Sequence, residues 1–162
     1  MTYLAEGARI IGDVTFGEDC SVWYNAVIRG DDHPIRIKDR VNIQDNCVLH
    51  ASHKRVLTIG NDVTIGHGAI IHGCVIGNSC LIGMGAIIMD DAVIPDDCIV
   101  GAGSLITENK TFPSGSLILG SPARAVRQLT EEEKASIHVS SLHYVHAARQ
   151  QLSSGESTEI RH

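Results

Sequence analysis

Aromatic side chains are scarce in this sequence, with one Trp, three Tyr and two Phe in 162 residues. That scarcity excludes a core filled by large rings. The apolar interior has to come from Val, Ile, Leu and Ala, within a hydrophobic share of 43%. Basic charge is the minority, 13 Lys and Arg against 19 Asp and Glu, and no basic cluster exceeds a few residues. An acidic chain of this kind is not built to hold a nucleic-acid backbone. The start, MTYLAEGARIIGD, has no charged segment followed by an apolar one, so no secretion signal is read. No CxxC occurs among the five cysteines, and an odd count without such a signal reads as reduced thiols in the cytoplasm. Charge is missing altogether from residues 63–89. A membrane span is nevertheless rejected there, because the run holds Asn78, two histidines and six glycines and repeats every six residues.

What is present is a repeat, on a length that suits one domain. Apolar residues recur with a step of six: Ile76, Ile82, Ile88, Ile94, Val100 and Ile106. Ile59, Ile65 and Ile71 precede them and join through one five-residue step. Earlier come Phe16, Val22 and Ile28, then Ile37, Ile43 and Leu49. The fourth residue after each is short, as in Cys20, Ala26, Cys47, Ala69, Cys80, Ala86 and Cys98, and the next residue is often Gly. Six is neither the helical period nor the plain strand period. It fits one flat side and one corner. Three sides make a triangular coil, and coils stack about 4.8 Å apart, as neighbouring strands do. The reading is a mainly β fold, a single-stranded parallel β-helix, with four of the cysteines as small corner fillers. Cys74 lies off that register and stays without a reading.

Two interruptions break the step, residues 31–36 and residues 51–58, and insertions in a solenoid become loops at corners. After Ile106 the pattern is read as stopping, with an irregular return over residues 107–129 that holds one short apolar run. Thr130-Glu131-Glu132-Glu133 is a capping box that opens a helix to about Leu152, with Ile137, Leu142, Val145 and Ala148 as its apolar stripe. The expected organisation is a β-helix over residues 1–120, a connection and helix over 121–152, and a polar, disordered tail over 153–162.

Counting sides places Arg29, His50 and His72 on one side in three successive coils. Two histidines one strand spacing apart suit one metal ion. His67 falls on the preceding side, out of reach within one chain, and a threefold assembly would supply it from a neighbour. Asp45 sits one coil below His67, next to Gln44. Arg29, Asp31, Gln44 and Asp45 would then surround the ion and orient what binds it. Arg29 and Asp45 serve equally well as a salt bridge between subunits. His33, His53, His138, His143 and His146 read as surface residues, with His53 the best outsider, and Tyr144 reads as helix packing.

The strings Val27-Ile28-Arg29-Gly30-Asp31, Asn42-Ile43-Gln44-Asp45, Val48-Leu49-His50, Ile65-Gly66-His67-Gly68, His72-Gly73-Cys74 and Gly120-Ser121-Pro122-Ala123 resemble those of the gamma-class carbonic anhydrases. That resemblance covers roughly residues 8–150. It implies a left-handed β-helix, a homotrimer, and His50, His67 and His72 as ligands of Zn²⁺, with Fe²⁺ or Co²⁺ as substitutes. It further implies that Arg29 and Asp45 bridge subunits and that Gln44 orients the bound water. The founding enzymes carry proton-shuttling glutamates in an acidic loop. Here residues 51–58 read ASHKRVLT with no acid, which matches a shorter subclass and leaves His53 as the candidate shuttle. The expected activity is reversible hydration of carbon dioxide to bicarbonate by a metal-activated water. The rivals are a hexapeptide acyl- or acetyltransferase using one histidine as base, a metal-assisted thioesterase, and a non-catalytic metal-binding trimer.

Overall fold

Short strands recur along the chain, and each pairs in parallel with its counterpart one coil away. Three inward-facing columns result. One runs through Leu4, Val22, Ile43, Ile65, Ile82, Val100 and Ile118. The second runs through Ile10, Ile28, Leu49, Ile71, Ile88 and Ile106. The third holds Ile37, Ile59, Ile76 and Ile94. The computed structural model describes residues 2–154 and 158–160, and it is a left-handed parallel β-helix of about six turns with one helix at its C-terminal end. Among the described residues no helix is long and apolar enough to cross a membrane.

The step of six reaches further than the sequence reading allowed, in both directions. Leu4 and Ile10 begin it. At the other end Phe112 packs on the core and Ile118 is fully buried, so the step continues past Ile106 through 112 to 118. Polar residues and Pro113 around Phe112 hide this coil in the sequence. Beyond it the chain doubles back, and strand Ala123–Gln128 lies antiparallel on Ser116–Gly120. At the opposite end Thr158–Ile160 lies antiparallel on Thr2–Leu4. Both ends of this side are thereby paired, which blunts edges that would otherwise recruit other chains. Of the tail expected over 153–162, residues 155–157 and 161–162 lie outside the described residues, and Ser153 and Ser154 close the helix.

The corners follow one rule. The third residue after the inward one has left-handed backbone: Asp19, Asn25, Arg40, Asn46, Asp62, Ser79, Asp91, Asp97 and Asn109 have φ between 52° and 62°, and Gly68, Gly85 and Gly103 have φ of 66–68°. Asp, Asn and Gly tolerate that conformation best. The fourth residue then points inward and is small, as Cys20, Cys47, Cys80 and Cys98 are. Cys74 joins the same class. Pairing of Val75 with Val93 and Thr58 puts Cys74 in one column with Ala92 and Leu57, so the five-residue step merely brings the corner filler one place early. All five thiols are free and buried. Burial pushes Cys20 and Cys47 up to about 11 and Cys80 up to about 12, which leaves them protonated and unreactive. Gly83 is required for another reason, since a Cβ there would lie 2.4 Å from the backbone nitrogen of Ala102 in the next coil.

The helix, Glu131–Ser154, opens on the expected capping box. Glu133 N–H donates to the Thr130 hydroxyl at 3.2 Å, and the Thr130 N–H donates to the Glu133 carboxylate at 2.8 Å. It lies along the first side, touching the strands at Thr2–Leu4, Cys20–Val22, Asn42–Ile43 and Thr64–Ile65. Its docking face is Ile137, Ser141 and Ala148. Leu142, expected in the stripe, is instead 45% exposed. It sits about 140° around the helix from Ile137, whereas Ser141 sits about 40° from it. Ser141 donates to Asp62 Oδ1 at 3.1 Å, and Arg40 grips both oxygens of Asp62 at 2.7 and 2.8 Å. Trp23 is wedged between Tyr3 and Tyr144, with ring centroids 5.1 and 5.8 Å away.

Two outcomes follow from this packing. Ile82→Ala opens a cavity in a column with no exposed neighbour, and is expected to destabilise by about 2–5 kcal/mol in thermal or denaturant unfolding. Arg40 first, and then Ser141 and His138, hold the Asp62 carboxyl below the usual carboxylate range against the effect of burial. The charged form therefore favours the folded state. Its contribution is in full force above about pH 4 and drains away as pH falls through the depressed folded value. Asp62→Asn, which keeps the left-handed corner, is expected to cost roughly 1–3 kcal/mol at neutral pH. It should also flatten the fall in melting temperature between about pH 5 and pH 3 relative to the parent.

Candidate metal centre

Arg29, His50 and His72 occupy one column, as counting sides anticipated. Arg29 is the register partner of His50, and His50 of His72. The backbone sets this register, because Gly73 N–H donates to the His50 carbonyl at 3.0 Å. The rings lie 5.1 Å apart by centroid, and Nδ1 of His50 is 3.0 Å from Nε2 of His72. Two nitrogens on a tetrahedral zinc, at Zn–N of about 2.0–2.1 Å, stand about 3.4 Å apart, so a small opening of this pair admits an ion. Neutral imidazoles suit zinc, iron and cobalt alike.

Each ring has a carboxylate at its other nitrogen. Nε2 of His50 is 3.3 Å from Asp31 and 3.3 Å from Asp32. Nδ1 of His72 is in a short contact with Asp90. Partial burial raises the Asp31 carboxyl, but its own backbone hydrogen bond, Arg29 and His50 together outweigh that and hold it below the usual range. The three extra residues within 31–34 are what deliver Asp31 and Asp32: Gly12 opposes Gly30 and Val14 opposes Ile35, so a single residue below faces four above. An open cleft of about 250 Å³ over the pair is lined by Asp32, His50, His53, His72, Asp90 and Glu108, among others. His53 is 85% exposed at its mouth, 3.5 Å from Asp32.

His67 lies on the neighbouring side, as expected. Its Nδ1 contacts Asp45 at 2.9 Å, and Gly68 N–H donates to the Asp45 carbonyl one coil below. Gln44 is buried beside it and accepts from the His67 N–H at 3.1 Å. Gln44, His67 and Tyr144 line a groove of about 490 Å³ between this side and the helix. One chain thus brings together Arg29, Asp31, His50 and His72, and separately Gln44, Asp45 and His67. Arg29 pairs with Asp31 at 3.4 Å within the chain. His33 bonds the Asp32 carbonyl, while His138 lies beside Asp62 and His146 bonds Gln150, neither of them lining the cleft. Asp32 and Asp90 were missed by the sequence reading. Asp32 had a signal in the adjacent Asp31, and Asp90 had one in its place two residues after Ile88, as Gly73 is after Ile71.

A probable carbonic anhydrase of Methanocaldococcus jannaschii is 54% identical over 142 residues, covering 88% of this chain and 89% of that one. The mitochondrial gamma carbonic anhydrase 2 of Arabidopsis thaliana is 37% identical over 153 residues, 91% of this chain and 55% of that one. The chain belongs to the gamma-class carbonic anhydrase family. The family's repeat is also matched by the bacterial transferase hexapeptide (six repeats) description over residues 73–108. Among solved structures, a hexapeptide transferase family protein from Anaplasma phagocytophilum superimposes with a TM-score of 0.86 at 41% identity, over 92% of this chain and 88% of that one. Membership in the gamma-class family implies a metal cofactor.

Proposed function

We propose that this chain is a metal-dependent enzyme that hydrates carbon dioxide reversibly to bicarbonate, at a site shared between subunits of a homotrimer. The observation that carries the reading is the His50–His72 pair, with converging nitrogens 3.0 Å apart and a third histidine stranded on the next side. His50 and His72 of one subunit and His67 of the next would hold Zn²⁺, Fe²⁺ or Co²⁺. A cation held by three neutral imidazoles supplies a Lewis acid that brings the pKa of a water down to about 7. Arg29 and Asp45, each at the edge of its own side, pair across the subunit boundary and fix how the two halves meet. Gln44, anchored on the His67 backbone, orients the nucleophile. Asp31 and Asp32 hold the His50 ring. The five protonated thiols suit a reducing compartment, and we place the protein in the cytoplasm.

The outward stripe of the second side supports the assembly. Val48, Ile70 and Ile87 stack on it and are 42%, 41% and 38% exposed, beside the half-exposed Met84. Aliphatic residues in register on an open sheet face are what a subunit contact buries.

Stopped-flow carbon dioxide hydration on anaerobically purified protein tests the activity. Turnover is expected to track metal content and to fall at least a hundredfold in His72→Ala. A metal-loaded trimer no faster than buffer would refute it and favour thioester hydrolysis or a structural role. Hydration that persists in metal-free protein would refute the metal-dependent reading. Sharing of the site is tested by mixing. His50→Ala and His67→Ala are each expected to be inactive, while trimers reassembled from equal amounts of both regain about a quarter of the parental sites. No recovery would place the whole site within one chain.

A further inference from the structure

We infer that Asp90 is a positioning residue for the metal site: its carboxylate fixes the ring and tautomer of His72 from the coil above. This rests on the metal reading just given. A carboxylate only accepts hydrogen bonds, so the His72 Nδ1 in contact with Asp90 carries the proton. The lone pair is then on Nε2, the nitrogen that faces His50. A ring left to choose would divide between two tautomers and two flips, and only one of the four arrangements presents a ligand to the ion.

Asp90 reaches His72 because Gly73 lets it. Ile88 pairs with Ile71, which puts Asp90 in register with Gly73 and not with His72. A Cβ on Gly73 would lie 2.5 Å from Asp90 Oδ1 and 2.8 Å from the Ser52 Cβ, and Gly73 has φ of +50°. The missing side chain is the gap through which the carboxylate passes down to the imidazole. Asp90 is itself fixed, since Asn109 N–H donates to its carbonyl at 3.1 Å and Asp91 N–H donates to the Gly73 carbonyl at 2.9 Å. The adjacent Asp91 is engaged elsewhere, by Arg55 of the corner loop. Two neighbouring acids thus divide the work. One holds the His72 ring, and the other holds Arg55.

The test titrates cobalt(II) by its visible absorption, and zinc by chelator competition, into stripped trimer. Parent, Asp90→Asn, Asp90→Glu, Asp91→Asn and His72→Ala are compared. Asn keeps the size and removes the charge that selects the tautomer. Asp90→Asn is expected to bind both metals about 10–100-fold more weakly, with a shifted cobalt band and a parental melting temperature in chelator. Glu should restore most of the affinity, and Asp91→Asn should leave it unchanged. Parental affinity and spectrum in Asp90→Asn would overturn the inference, as would an equal loss in Asp91→Asn. Should Asp90→Asn fail to fold, Asp90→Ser takes its place with the same expectation. If the parent binds no more cobalt than His72→Ala, the metal reading itself fails, which is a different result from a tight parent with an unaffected Asp90→Asn.

Discussion

The parallel hydrogen bonding between successive coils is the constraint on which the rest of this protein depends. It forces each residue to stand above its counterpart one coil down, at strand spacing. A slip of one residue would turn His72 into the core and bring Ile71 out beside His50. The chain nonetheless spends 22 residues between His50 and His72, more than the eighteen of a plain coil. The excess is confined to the corner loop at residues 51–58, where Ser52 and Arg55 form their own small bridge before Leu57 rejoins opposite Ile35. Insertions are tolerated at corners because loop closure costs little and the flat sides keep their pairing.

The corners carry a second constraint. Each needs one residue in left-handed conformation and one small residue pointing in, so the sequence alternates Asn, Asp or Gly with Ala, Cys or Ser. Arg40 departs from that pattern. A long side chain in a left-handed corner has an intrinsic cost, which its two hydrogen bonds to Asp62 offset. Asp62 also receives Ser141, so a strained corner, an ion pair and the docking of the helix are one unit. Trp23 and Tyr144 complete that contact and place the helix beside the groove of Gln44 and His67.

Around the histidines the chain has assembled acids. Asp31 and Asp32 stand behind His50, Asp90 behind His72 and Asp45 behind His67. Carboxylates so placed select one tautomer of each ring and enrich its electron density, both of which favour a bound cation. Those behind His50 and His72 belong to different coils and are brought to one side by the solenoid, whereas Asp45 stays with His67 on the neighbouring side.

Period and spacing were legible in the sequence. The step of six, the alignment of Arg29, His50 and His72, the stranding of His67 and the capping box at Thr130 all follow from counting residues, because backbone repetition maps number directly onto position. The outermost coils were not legible, since Phe112 and Leu4 lie among polar or turn-forming neighbours and only their neighbours in space identify them as core. Nor was the docking face of the helix, where Ser141 replaces the expected Leu142 because its partner, Asp62, is 79 residues away. The carboxylates of Asp32 and Asp90 depended on the path of an inserted loop and on a gap left by a glycine. Both are matters of side-chain reach between coils, and a one-dimensional repeat contains no measure of reach.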